Sequence, residues 1–234
     1  GNYKGIIVSD GYVSYHTLGK ANDNLTVAGC WVHCKRKYAD IAKTIGKNGQ
    51  ASPAQKVALE AVQRITAIFH SDNLCKEKTP QEIMDNRQQS VKPLVDAFFA
   101  WVKDILDNKS ISSTNLKAAL NYSVNQEKYL RAFLDNPIIP MSNNDAERSI
   151  KKFCVGKHSW HIIDSKNGAR ASAMYYSIAE TAKANDLNPF EYFKYLMDQL
   201  KEYPRNNVPK EKLLELMPWS ESIPDCCKQL KKDN

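Results

Sequence analysis

Two apolar runs carry almost all of the strand-forming signal in this 234-residue chain, and both fall within its first 30 residues. Ile6-Ile7-Val8 is bounded by Gly5 and by the Asp10-Gly11 pair, which reads as a strand buried on both faces and ending at Asp10. Leu25 to Cys30, LTVAGC, reads as a second strand by the same reasoning. Residues 11–24 leave room for a short helix or an irregular crossover, so the pair reads as a piece of an α/β sheet.

From Trp31 the period changes. Cys34, Tyr38, Ile41 and Ile45 recur at helical spacing, Gly46 and Gly49 end that helix, and Lys35, Arg36 and Lys37 fall mostly off its apolar stripe. Residues 47–140 then read as helical throughout. Ser52 caps a helix with Pro53 at its first position and Val57, Ala61, Ile65 and Ile68 in stripe. Thr79-Pro80 begins a second helical stretch, in which Pro93 marks a kink or break before Phe98 and Trp101. Thr114 begins a third, with Leu116, Leu120, Tyr129, Leu130 and Phe133 as core. So long a helical stretch after a strand unit reads as an insertion that bulges away from the sheet.

The Pro- and Asn-rich NPIIPMSNN follows, then a helix from about Asn144 and a short strand at HSWHII. A helix from about Gly168 to Asn185 and another opened by Pro189 come next. The tail from Pro204 is expected to be loosely held, apart from a short helix around Leu213 to Met217. The expected organisation is therefore 1–46 (strands and helix), 47–140 (helical insertion), 141–186 (two helices) and 187–234 (terminal helices and tail). The fold class is α/β but predominantly helical.

Hydrophobic residues make up 42% of the chain and mean hydropathy is -0.53, which fits a folded globular protein. No apolar run has the length of a membrane span, and GNYKGIIVSD lacks the pattern of a signal peptide, so the expected location is the cytoplasm. The six cysteines follow no disulfide spacing and read as reduced thiols. Cys30 and Cys34, in CWVHC, would need a second ligand pair to hold zinc; His158 and His161 could be offered, but the spacing is poor. The net charge of +7 favours an anionic partner such as nucleic acid, and equally describes a solvated lysine-rich surface.

Two carboxylates stand out. Glu147 shares a helical stripe with Ala146, Ile150, Phe153 and Cys154, so it is expected to face the core, with Asp145, Arg148 and Lys152 on the other side. A buried lone carboxylate is costly unless neutralised. Either Glu147 closes a capping box on Asn144, or it holds a cation. Asp10 has two readings as well: an Asp-Gly turn, or a ligand at the carboxyl end of a strand, where open α/β sheets bind ligands. The two acids together could hold divalent ions for phosphodiester chemistry, and magnesium suits carboxylates plus water.

Four blocks in order, VSDGYVSY, GCWVHCKRKY, NNDAERSIKKF and GKHSW with SKNGARASAMYYSIAETAKAN, resemble the bacterial insertion-sequence transposases of the IS-sixty-six type, as does the closing LLELMPW. The resemblance implies a ribonuclease-H-like core whose acid triad, Asp, Asp and Glu, binds Mg2+ or Mn2+ and cleaves and joins DNA. Asp10 matches the second Asp and Glu147 the Glu. It also implies DNA contacts for Lys35, Arg36, Lys37, Arg148, Lys151 and Lys152, and a site lined by His33 and Trp160. His33 would orient a neighbouring group or be a satisfied histidine at a strand–helix junction; both remain open. Partners implied are transposon-end DNA and further copies of the chain, and the location is the bacterial cytoplasm, at the nucleoid when DNA-bound.

The family's first Asp has no counterpart before Asp10, so the chain is expected to be the rear part of such an enzyme, about three strands short, and inactive by itself. The alternatives are a DNA- or partner-binding module without catalysis, and a helical interaction protein whose acids are caps.

Overall fold

The computed structural model describes residues 3–45, 49–108, 110–204 and 207–228. The chain forms two compact units, Gly1–Ala146 and Glu147–Asn234.

In the first unit, β1 (Gly5–Ser9) and β2 (Leu25–Gly29) pair in parallel, with Gly5 opposite Leu25 and Ser9 opposite Gly29. The crossover is a short helix, α1 (Val13–Ala21). Gly19 allows α1 to lie against β2, because a Cβ there would stand 2.6 Å from Val27 Cγ2. Ile6, Ile7 and Val8 are only half-buried, not buried on both faces as expected. The described sheet has two strands, so it lacks the flanking strands and full helix layers that bury a central strand.

α2 (Trp31–Ala42) turns Trp31, Cys34 and Tyr38 into the core; Gly46, expected to end it, lies outside the described residues. α3 (Pro53–Asn73) begins at a complete capping box between Ser52 and Gln55 and buries Ala58, Ala61, Ile65 and Ile68. α4 (Pro80–Asn86) begins at a second box, Thr79 with Glu82.

Pro93 does not break the chain. α4 runs through a π-helical turn, Arg87–Val91, into α5 (Lys92–Asn108). Proline cannot donate to the carbonyl one turn back, and its ring crowds that carbonyl. The wider turn just before Pro93, with the Lys92 amide bonded to Arg87 O, accommodates both effects. The same turn holds Arg87, 4% exposed, which pairs with Asp72 (Nε to Oδ1, 2.7 Å) and donates to Phe133 O and Asn136 O.

α6 (Thr114–Arg131), capped by Ser113, passes through a 3-10 turn, Ala132–Asp135, into the Pro-rich strap. One core joins strands and helices around Trp31, whose ring meets Phe98, Phe99 and Phe133 and whose Nε1 donates to Leu130 O at 2.8 Å.

The second unit contains α7 (Asn144–Trp160, mostly in this unit), α8 (Lys166–Ala184), α9 (Pro189–Leu200) and α10 (Lys210–Glu215). HSWHII is not a strand: α7 continues to Trp160, and His161, in the left-handed region at φ 56°, ends it. The core is small: Ala182, Leu187, Tyr192, Ile223 and Cys227. Tyr192 is the buried aromatic of α9, and its hydroxyl donates to Leu216 O at 2.6 Å. Among its described residues, the tail expected to be loose is anchored at Cys227 and Lys228: Asn188 donates to Cys227 O at 2.7 Å, and Leu187 bridges Lys228. No described helix is long and apolar enough to cross a membrane.

Candidate functional site

β1 delivers Ser9, 3% exposed, to its carboxyl end, and Asp10 emerges there into solvent. The Asp10 carboxylate folds onto its own loop, with Oδ1 accepting from the Tyr12 amide at 3.0 Å, an Asx-type turn. Gly11 makes that turn possible at φ +86°, and a Cβ there would lie 2.9 Å from the Gln126 amide. The turn rests on α6, where the Tyr122 hydroxyl donates to Asp10 O at 2.7 Å. The inserted helices therefore do not all bulge away from the site, because α6 lies directly beneath it.

Two backbone bonds bring other segments to the same sheet edge. Cys30 donates to Ser9 O at 2.9 Å, tying the end of β2 to the end of β1. Trp31 donates to Met141 O at 2.9 Å, tying the strap that leads into SNNDAERSI to the start of α2.

Polar and aromatic groups from α6 and α1 fill the space beneath the turn. His16 stacks on Tyr129 with ring centroids 3.9 Å apart. Burial, helped by the charge of Lys20, lowers the His16 pKa; Gln126 nearby acts weakly the other way. That approach falls short of a hydrogen bond at His16 Nε2, which is buried without one, as are Gln126 Oε1 and Ser9 Oγ. Burial, and then neighbouring thiols and Asp10, push the Tyr122 phenol far above its ordinary value, so it stays a neutral donor.

Of the expected DNA contacts in this unit, Lys35 is half-buried and Arg36 and Lys37 are exposed. Lys37 Nζ sits 4.5 Å from the centroid of the Tyr122 ring, on the side chain that holds Asp10. His33 is half-buried in the first turn of α2. Cys34 faces Ser123 Oγ at 3.4 Å, and burial raises its thiol pKa to about 12, so it is a packed core thiol. Among the described residues no three of His, Cys, Asp and Glu gather into a metal-binding group.

Glu147, Arg148, Lys151 and Lys152 belong to the second unit. Glu147 is exposed, contrary to the expected inward orientation, and its stripe is largely open: Ile150 is 59% exposed, and Ala146 and Cys154 are exposed. Only Phe153 of that stripe is half-buried, edge-on to Tyr176 of α8 at 5.3 Å. α7 begins at Asn144 itself, so Asn144 is a helical residue rather than the expected cap. Lys152 is committed to Glu180 at 2.7 Å, a contact that lowers the Glu180 pKa first of all. Arg148 and Lys151 are exposed. Trp160 closes α7, but its side chain lies outside the described residues.

Comparison with known families decides the ancestry. The model of the transposase IS66 family matches residues 1–171, and that of the IS66 C-terminal element matches 177–219. This chain belongs to the IS66 transposase family. Three relatives are uncharacterized proteins of Sinorhizobium fredii. The protein y4hP is 27% identical over 225 residues, covering 93% of this chain and 40% of the relative. The protein y4jD is 27% identical over 224 residues, covering 94% and 42%; y4qI is 23% identical over 225 residues, covering 93% and 39%. The chain thus spans about 40% of the length of the relatives it matches. No solved structure matches it.

The IS66 transposase match contains Asp10, His33, Glu147 and the six basic residues expected to contact DNA, while the C-terminal element contains Tyr192 of the second core and Leu216, to which its hydroxyl donates. Sequence reasoning missed Tyr122, Gln126 and His16. Tyr122, Gln126 and Tyr129 recur at i, i+4 and i+7 on α6, a polar-aromatic stripe that faces the protein, and that periodicity was the available signal.

Proposed function

We propose that this chain carries part of a ribonuclease-H-like catalytic core of a DNA transposase, which cleaves and joins phosphodiesters with Mg2+ or Mn2+. Asp10 and Glu147 are its carboxylate ligands, two of the three acids of the family's triad. The observation that carries this reading is the convergence at one sheet edge. The end of β1 with Asp10, the end of β2, and Met141, six positions before Glu147, are joined there by the Cys30–Ser9 and Trp31–Met141 bonds. Carboxyl edges of parallel strands are where α/β sheets bind ligands.

The exposed Asp10 carboxylate, a hard oxygen donor held by an Asx turn, fits a hard divalent cation. Such an ion supplies Lewis-acid activation of a phosphodiester and of the attacking oxygen. This chain's own side chains do the rest. Asp10 and Glu147 act as ligands and not as general bases. Arg36, Lys37, Arg148 and Lys151 neutralise phosphates, Lys152 does so when released from Glu180, and Lys35, though half-buried, has the same role. His33 and Trp160 line the site. The substrate is transposon-end DNA, bound by more than one copy of the protein in the bacterial cytoplasm.

The test is Mn2+ binding followed at the two acids. Asp10→Asn and Glu147→Gln should each weaken Mn2+ binding about tenfold or more, since even indirect ligand support is worth that much. Unchanged affinity in both, with Glu147→Gln lowering thermal stability, would make the acids structural. The net charge of +7 also favours a second reading, a DNA- or partner-binding module without catalysis. DNA affinity that survives both substitutions in a protein that binds no Mn2+ would select it.

A further inference from the structure

The contacts beneath Asp10 go beyond holding a loop. The Asp10-Gly11-Tyr12 turn touches α6 twice, through the Tyr122 hydroxyl on Asp10 O at 2.7 Å and through the Gln126 amide packed against Gly11. Gln126 is 9% exposed, and its Oε1 is buried without a hydrogen bond. A buried amide oxygen left unsatisfied lowers stability, so packing alone does not account for a polar residue there. Its flat amide does what a bulkier apolar group would not: it lies against the Gly11 backbone without displacing the turn. Tyr122 is a directed donor fixed on a helix, and its hydroxyl points at the Asp10 carbonyl.

We propose that α6 is the seat of the metal-ligand turn: Tyr122 and Gln126 are positioning residues that fix the direction of the Asp10 carboxylate from below. The inference rests on the reading of Asp10 as a metal ligand. It adds that the inserted helices, which supply no acid of the triad, set the geometry of one of its acids. Tyr122 grips the carbonyl of Asp10, Gln126 limits the swing of Gly11, and the Tyr12 amide then holds Oδ1. Neither Tyr122 nor Gln126 touches the cation.

The test uses the 234-residue chain with Tyr122→Phe, which removes one oxygen atom, and Gln126→Leu, which keeps the bulk and removes the amide. Three quantities are read: melting temperature, hydrogen exchange of the Tyr12 amide without metal, and Mn2+-induced broadening of the Asp10–Tyr12 amide signals during titration. With little change in melting temperature, both variants should exchange the Tyr12 amide faster and bind Mn2+ about threefold to tenfold more weakly, the worth of one hydrogen bond.

Unchanged exchange in both variants overturns the seat, whatever the metal does. Faster exchange with undiminished Mn2+ affinity overturns the positioning role and leaves Tyr122 a structural contact. If the unsubstituted protein shows no Mn2+ broadening at Asp10, the metal reading itself fails and the positioning role falls with it; that outcome is distinct because it appears before any substitution is made.

Discussion

The Tyr122 hydroxyl donates to the main-chain carbonyl of Asp10 across 112 residues of chain, at 2.7 Å. A helix from the long helical stretch thereby contacts Asp10 where it leaves the sheet edge of the first unit. The consequences can be tested residue by residue.

Gly11 is the strictest position in the turn. An alanine there must adopt φ near +86° and push aside the Gln126 amide, 2.9 Å from the added carbon. Gly11→Ala should cost about 1–3 kcal/mol in urea unfolding. Gln126→Ala in the same chain should recover only part of it, because the backbone strain stays. Full recovery would mean that the clash alone matters.

Arg87 ties three segments together: Asp72 of α3, and the carbonyls of Phe133 and Asn136. Arg87→Ala leaves Asp72, whose side chain is 15% exposed, without its ion pair, along with two carbonyls that lose a donor. A loss of about 3–5 kcal/mol is expected by chemical denaturation, as for other buried pairs broken on one side. A loss below about 1 kcal/mol would place water, not Arg87, at the centre of this knot.

His16 gives a pH signature. Its folded pKa is lowered by burial, so the unfolded chain takes up its proton at higher pH than the folded one. Its contribution to stability is therefore whole above about pH 6.5, the unfolded value, and is lost as pH falls from there through the lowered folded pKa. Thermal melts at pH 8 and pH 5 should show a larger drop for the unsubstituted protein than for His16→Phe, which keeps the stack on Tyr129. Equal drops would rule out His16 as the source.

The thiols should react in an order set by burial. Cys154 and Cys226 are exposed, whereas Cys30, Cys34 and Cys227 are buried, with Cys34 raised to about 12 and Cys227 to about 11. Labelling at pH 8 with a thiol reagent, followed by peptide mass analysis, should modify the first two while the other three stay protected until denaturant is added. Early labelling of Cys34 would contradict its place in the core.

Lys152 separates structure from DNA contact. Its pair with Glu180 is largely solvent-exposed, so Lys152→Met should change stability by less than about 1 kcal/mol. If Lys152 also meets a phosphate, the slope of log affinity against log salt should fall by about one. An unchanged slope would leave it purely an intramolecular partner.

Local signals in the sequence were reliable where a side chain acts on its own backbone. Ser52 and Thr79 announced their helices because each cap is completed by residues within one turn. Asp10 was legible as the end of a strand for the same reason. The exposure of Glu147 was not: the stripe Ala146, Ile150, Phe153, Cys154 is real at the level of period, but periodicity names a face and not what covers it. The seat beneath Asp10 was hidden because Tyr122 and Gln126 lie more than a hundred residues away in sequence and carry no motif of their own. At Pro93 the local penalty predicts a kink or a break, and the break is avoided because one wider turn carries the helix past the proline.

That wider turn has a geometric consequence. Each residue in an α-helix advances the direction of its side chain by about 100°. The extra residue taken up between Arg87 and Val91 therefore sets the rotation of all of α5 relative to α4. It works as a vernier on one continuous rod: upstream it dials Arg87 toward the strap, and downstream it dials Phe98 and Phe99 toward the Trp31 indole. Deleting a single residue there would restore a regular screw and point those rings elsewhere, although every side chain that builds the core would still be present.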